Sequence, residues 1–309
     1  MASGKGSAER RPQVCQWLDL HAVLSHFATY AGPTQSSQHI KPLHWYVACR
    51  LVLEGGFDPD EITPRPPFSV SRRGGGRVLT HEPRLATGAE RTVLGGLKTK
   101  NVDVVVTKPT LGPVVAVSCK GTTGAFRNLT NRMEEAAGDC TNLHITYPAM
   151  VYGFLAVLRA NRETEAAAEA LAPDNAPPAR QLDARDLALQ RGGEPVETII
   201  RYRTALRELT GRRGVRDDLT RYEAIALALV EANVGAPGEV LGSFPPADSP
   251  LRIEQFFQAI YLRYDERYVY AAPDLDRLTR RHEWSPASPV FGPSTSPLLD
   301  FNPRLAGAD

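Results

Sequence analysis

Two short apolar runs constrain this chain more than any other feature. NVDVVVT (101–107) and VVAVSCKG (114–121) have the β-branched content of strands, and TKPTLGP between them reads as a turn. A hairpin about Pro109–Pro113 would set Asp103 beside the Lys120 end of its neighbour. Alternate side chains share one face of a strand, so Ser118 and Lys120 point the same way. An acid, a hydroxyl and an ammonium would then gather at one end of an otherwise buried strand pair.

The flanking sequence predicts a mixed α/β core. Helical spacing runs through VCQWLDLHAVLSHFATY (14–30) and LHWYVACRLVLEGGF (43–57), the second stopped by Gly55-Gly56. Residues 58–77 are rich in proline and arginine and end in SRRGGGR, read as a flexible basic loop, and ATGAERTVLGGLKTK reads as a helical turn leading inward. FRNLTNRMEEAAGD (126–139) is expected to be helical and MVYGFLAVLR (150–159) a buried strand. The order strand, strand, helix, strand gives a mixed sheet flanked by helices. Residues 1–13 are expected to be mobile, 14–160 to form the core with its N-terminal helices, and 161–195 to act as a linker. VETIIRYRTALRELTGR, DLTRYEAIALALVEAN and RIEQFFQAIYLRYDERY predict a helical region over 196–272, a candidate dimer or DNA-contact face. The Pro-rich 273–309 is expected to lie extended over the surface.

Composition narrows the functional classes. Net charge is +1, so attraction to a polyanion would have to come from local clusters of arginine. The four cysteines have no zinc-type spacing and read as reduced thiols. Neither a basic-then-apolar leader nor a run of 18 apolar residues is present, which predicts a cytoplasmic protein with no membrane contact. The seven histidines form no HxH or HExxH pattern, and no GxxxxGK[ST] phosphate loop occurs. Zinc hydrolysis and an ATP-driven motor therefore gain no support.

Phosphodiester hydrolysis needs the kind of set that the hairpin assembles. Asp103, with Glu134 brought round by the following helix, would supply oxygen ligands to a hard cation such as Mg²⁺, with Mn²⁺ as its substitute. Such a cation polarises the phosphate and offsets charge in the transition state. Lys120 would orient water or steady the phosphate, and Ser118 would hold a water. Arg127, Asn128 and Asn131 at the helix start could reach bases or phosphates, and Arg72, Arg73 and Arg77 could line a phosphate-facing loop. Glu54 and Glu90, both read as helix-borne acids, could complete a second metal shell. Each residue also has an ordinary structural reading. Asp103 could cap a strand, Ser118 fill a small space, Lys120 sit exposed at a strand end, and Arg132 pair with Glu135 on the helix surface.

Asp103 followed by Ser118-Cys119-Lys120 resembles the PD-(D/E)xK nuclease superfamily, with serine where the second acid stands. CKGTTGAFRNLTNRMEE further resembles type II restriction endonucleases of the CCGG-recognising group. In that group the displaced acid is supplied by the next helix as Arg-x-Glu, its Glu fourteen positions after the Lys, the register of Lys120, Arg132 and Glu134. The resemblance spans about 102–158. It implies a restriction-endonuclease-like α/β fold with catalytic Asp103, Ser118, Lys120 and Glu134, and metal on Asp103 and Glu134. Arg132 and Glu90 would support the site. Val102 stands where the group has proline, and Gly124-Ala125-Phe126-Arg127 replaces its base-reading Arg-x-Asp-Arg, so CCGG recognition is not implied. The expectation is a Mg²⁺-dependent endonuclease on double-stranded DNA, serving restriction or phage defence. A homodimer would cut both strands, and a cognate methyltransferase would be its genetic partner. The alternative is a catalytically weak nuclease-fold DNA-binding subunit of a defence complex; RNA as substrate stays open.

Overall fold

The computed structural model describes residues 17–33, 37–163, 182–232, 236–293 and 298–307. The expected mobile segment 1–13 and most of the expected linker lie outside them. Strands and helices are numbered in chain order. The helices are α1 (Leu20–Thr29), α2 (Lys41–Leu53), α3 (Leu129–Thr146), α4 (Glu197–Glu208), α5 (Ile253–Tyr264) and the short α6 (Asp276–Thr279). A five-stranded mixed sheet joins β1 (Ile62–Thr63), β6 (Val104–Lys108), β7 (Gly112–Thr122), β8 (Val151–Arg159) and β9 (Ala224–Val230), in that spatial order. The β1/β6 and β6/β7 pairs are antiparallel; β7/β8 and β8/β9 are parallel. Helix α3 makes the crossover that a parallel β7/β8 pair requires.

Alternation along the strands divides two cores. Val115, Val117, Leu155, Val157, Ala226 and Ala228 pack with α1, α2 and α5 on one face. Ala116, Tyr152, Phe154, Ile225 and Leu227 pack with α3 and α4 on the other. Gly153 in β8 is required by this packing, because a Cβ there would lie 2.7 Å from the Phe256 ring of α5.

Four expectations are corrected. DLTRYEAIALALVEAN is not an amphipathic helix: its centre is strand β9, buried over its whole length. AIALALV has no polar face to turn to water, and a strand covered on both faces is where such a run fits. ATGAERTVLGGLKTK forms no helical turn; it supplies β4 (Arg91–Leu94), which pairs with β5 (Thr99–Val102). SRRGGGR is the tip of a hairpin of β2 (Phe68–Arg73) and β3 (Gly76–His81), turning on Gly74 and Gly75, both at positive φ. The tail is built into the fold and is not merely laid over the surface. Trp284 is fully buried and donates its indole N–H to the Val52 carbonyl at 2.7 Å, and the Arg304 backbone N–H bonds to Leu53.

The C-terminal stretch therefore completes the same unit as the core. Helix α5 buries Phe256, Phe257, Ile260, Tyr261 and Tyr264 in the sheet, so its aromatic stripe is core and not a dimer face. The buried Glu223 carboxylate accepts from Arg212 (2.7 Å) and from the Tyr152 backbone N–H (2.7 Å), with Arg267 at 2.7 Å and His144 at 3.5 Å. Burial pushes this carboxyl up, but the bonds and charges of His144, Arg267 and Tyr152 outweigh it and hold it below its usual range. Among the described residues, no helix is long and apolar enough to cross a membrane.

Replacing Trp284 with alanine empties a filled core position and removes the indole hydrogen bond to the Val52 carbonyl. A loss of about 3–5 kcal/mol is expected, read as a lower urea midpoint. An unchanged midpoint would mean that the tail is not part of the fold.

Candidate metal and phosphate site

The site grows from a kink in the chain. Residues 99–102 pair with β4, residues 104–108 pair with β7, and Asp103 lies at the change of partner. Its side chain is buried, and Oδ2 accepts the Cys119 backbone N–H at 2.7 Å. Register does the rest on this side. Val104 pairs with Val117, which brings Lys120 Nζ to 3.8 Å from Asp103 Oδ2. Arg91 pairs with Val102, which carries Glu90 opposite Asp103.

The other face contributes a residue absent from the sequence-derived set. His44, in the first turn of α2, is buried, and its Nε2 lies 3.6 Å from Asp103 Oδ1. That nitrogen has no hydrogen-bond partner among the described residues. Burial holds the imidazole below its ordinary pKa, against the opposing pull of Asp103 and Glu90, which favours the neutral form that can act as a ligand. One ligand atom each from His44, Glu90 and Asp103 lie within 4.8 Å of one another. The signal for His44 was legible in part. Within the buried helix α2, Arg50 finds Glu54 four residues on at 2.6 Å, whereas His44 has no such local partner. Glu54 is thereby a structural ion-pair member, also bonded by Tyr261 and Gln258, and no part of a metal shell.

Asp103 and Lys120 open into a cavity of about 840 Å³, rimmed by Glu90, Lys98, Lys100, Asn128 and Arg132. Its walls come from the β4–β5 hairpin, the end of β7 and the start of α3. Cations around a carboxylate floor suit a phosphodiester next to a divalent ion.

Glu134 does not join this cluster. It is exposed, and among the described residues the carboxylate grouped with Asp103 is that of Glu90. The cause is helical phase. Arg132, Glu135, Ala136 and Asp139 form the stripe of α3 that faces Ser118 and Lys120, and Glu134 points about 100° away from Glu135. Arg132 accordingly bonds Glu135 at 3.0 Å and does not support Glu134. Burial pushes the Glu135 carboxyl up, but Arg132, Lys100 and Lys120 together hold it below its usual range. Lys100 also pairs with Asp139.

Ser118 is placed beneath the site and not in it. Its hydroxyl shares a 2.8 Å hydrogen bond with the buried Tyr152 hydroxyl, so its hydrogen bonding is spent within the core. Arg127 and Asn131 are exposed near the start of α3 but do not line the cavity; Asn128 does. Arg72, Arg73 and Arg77 sit on the β2–β3 hairpin, away from Asp103. His144 is fully buried against Cys140, the Leu219 carbonyl and Glu223, a core residue.

Comparison with known proteins found no matching family model, no similar curated protein and no similar solved structure.

If the His44–Glu90–Asp103 cluster holds the ion, His44→Ala and Glu90→Ala weaken Mn²⁺ binding by about tenfold or more, whereas Glu134→Ala leaves it unchanged. Titration calorimetry reads the difference; equal affinity in all three variants would place the ion elsewhere.

Proposed function

We propose that the protein is a divalent-metal-dependent nuclease acting on double-stranded DNA, of the PD-(D/E)xK type that its D…SxK pattern resembles. The observation that carries this reading is the buried Nε2 of His44, which has no hydrogen bond among the described residues and faces two carboxylates, with Lys120 beside them. Such a nitrogen is costly to bury without a partner, and a cation shared with Glu90 and Asp103 would satisfy it. The donor set is mixed. Mg²⁺ prefers oxygen ligands and keeps its waters, while imidazole suits transition metals, so Mn²⁺ fits these residues better than Mg²⁺.

When bound, the ion would polarise the scissile phosphate and lower the pKa of a coordinated water. The chain's own residues then have separate tasks. Asp103, fixed by the Cys119 N–H, presents its second oxygen to the ion and also faces Lys120. Lys120 is one-third exposed, which leaves its ammonium free to reach a phosphate oxygen. Arg132, Lys98 and Lys100 would hold flanking phosphates, and Asn128 a base or sugar edge.

A second reading rests on Ser118. With its hydroxyl bonded to Tyr152, β7 offers an ammonium but no carboxylate to the site. That suits a DNA-binding subunit of a defence complex with little catalysis. Cleavage of both strands would call for a two-fold dimer formed by surfaces other than the buried stripe of α5, and a sequence-specific enzyme would have a protecting methyltransferase as its genetic partner.

Supercoiled plasmid incubated with Mn²⁺, Mg²⁺ or EDTA separates the two readings. Metal-dependent nicking should fall by about a hundredfold or more in Lys120→Ala and Asp103→Ala, with Glu134→Ala close to wild type. Gel retardation with intact strands in every protein would favour the binding subunit.

A further inference from the structure

The β2–β3 hairpin and the C-terminal segment enclose a second cavity, of about 830 Å³, within the size range of about 300–1,000 Å³ usual for small-ligand sites. It lies towards the Gly56 end of α2, whereas His44 is in the first turn; the helix between them spans roughly 14 Å. Arg72, Arg77, Arg277, Arg280, Arg281 and Arg304 line it, against the carboxylates of Asp265, Asp276 and Glu283.

These arginines are not equivalent. Arg281 is spent on the fold, with Nε and Nη2 on Asp265 at 2.9 and 2.6 Å and Nη1 on the Gly55 carbonyl. Arg280 bonds Asp276 at 2.9 Å, and Arg304 makes a long 3.5 Å contact with Glu283. Among the described residues, the guanidinium groups of Arg72, Arg77 and Arg277 have no partner. Arg72 and Arg77 are moreover directly opposite each other in the hairpin register. Like charges in that position repel, and an anion between them would reverse the sign of the interaction. The same field reaches His282, whose imidazole is held down to about 4 by burial first and then by Arg77, Lys108 and Arg72, against a pull from Asp58. Tyr270, 74 % exposed, lines it as an aromatic surface with nothing stacked on it among the described residues.

Guanidinium forks suit phosphate oxygens, and an exposed ring suits a base. We propose that this cavity binds a nucleoside phosphate, its phosphates held by Arg72, Arg77 and Arg277 and its base against Tyr270. The phosphate ester comes either from a free nucleotide or from the phosphorylated end of a nucleic-acid strand. The site is separate from the His44–Glu90–Asp103 cluster and does not depend on the nuclease reading.

Calorimetric titration of the full chain with ATP, inorganic phosphate, and a short oligonucleotide with or without a 5′-phosphate tests it. ATP should bind saturably. Affinity should fall by about tenfold or more in Arg72→Ser/Arg77→Ser and in Arg277→Ser, an exposed position whose change spares the fold. Tyr270→Ala should weaken ATP and leave inorganic phosphate unaffected, and Lys120→Ala should bind as wild type. Binding of the 5′-phosphorylated oligonucleotide alone, competed by phosphate and lost in the arginine variants, would identify the strand end as the source. Absence of saturable binding to every probe, or binding unchanged in both arginine variants, overturns the proposal.

Discussion

A buried carboxylate organises this molecule. Asp103 is a charge taken out of water, and such a charge is tolerated only when hydrogen-bonded and paired. The Cys119 N–H supplies the bond, at 2.7 Å, while Lys120 and His44 flank its two oxygens. Because the chain leaves the β4–β5 hairpin and enters the main sheet at this residue, the same carboxylate fixes where two sheets meet. Helix α2, the hairpin and the end of β7 all converge there, and the cation-rimmed cavity opens from it between the hairpin, the end of β7 and the start of α3.

Around that point, polar groups fall into sets that serve different ends. Ser118 and Tyr152 satisfy each other inside the core, and Glu223 gathers Arg212, Arg267 and the Tyr152 backbone. Both sets hold β8 and the segment entering β9 in place. The α3 stripe of Arg132, Glu135 and Asp139, joined through Lys100, is a third set that lies alongside Lys120. His44 differs in its setting: its inward nitrogen faces two carboxylates that line an open cavity, whereas His144 Nε2, likewise without a hydrogen bond among the described residues, faces Glu223 inside the closed core.

The two ends of α2 thus carry two cationic cavities of opposite design. Near His44, carboxylates form the floor and cations the rim, as suits an ion sandwiched between protein and phosphate. Near Gly56, arginines predominate and the carboxylates are mostly spent in pairs, as suits an anion directly. The C-terminal segment makes the second cavity possible. Trp284, anchored on Val52, brings residues 276–284 back against the β2–β3 hairpin from the far end of the chain.

Local sequence determined a good deal. β-Branched runs around a Pro/Gly turn specified the β6–β7 hairpin, and with it the meeting of Asp103 and Lys120; helical spacing specified α3 as the element that follows. These are interactions between residues close in sequence, where period and turn chemistry suffice. Tertiary structure alone decided which α3 carboxylate faces the strand. A shift of one residue turns a helix by about 100°, and packing of Leu129, Ala136, Cys140 and Leu143 on the sheet set that phase. It also decided that AIALALV would be a strand, because a short run apolar on every side fits either structure until a sheet edge is offered to it. His44 and Glu90 reach Asp103 from 59 and 13 residues away in the sequence, through helix placement and strand register. No period in the sequence encodes such distances. They exist only once the hydrophobic faces of separate elements have found each other, for burial drives the packing and leaves the polar groups where it brings them.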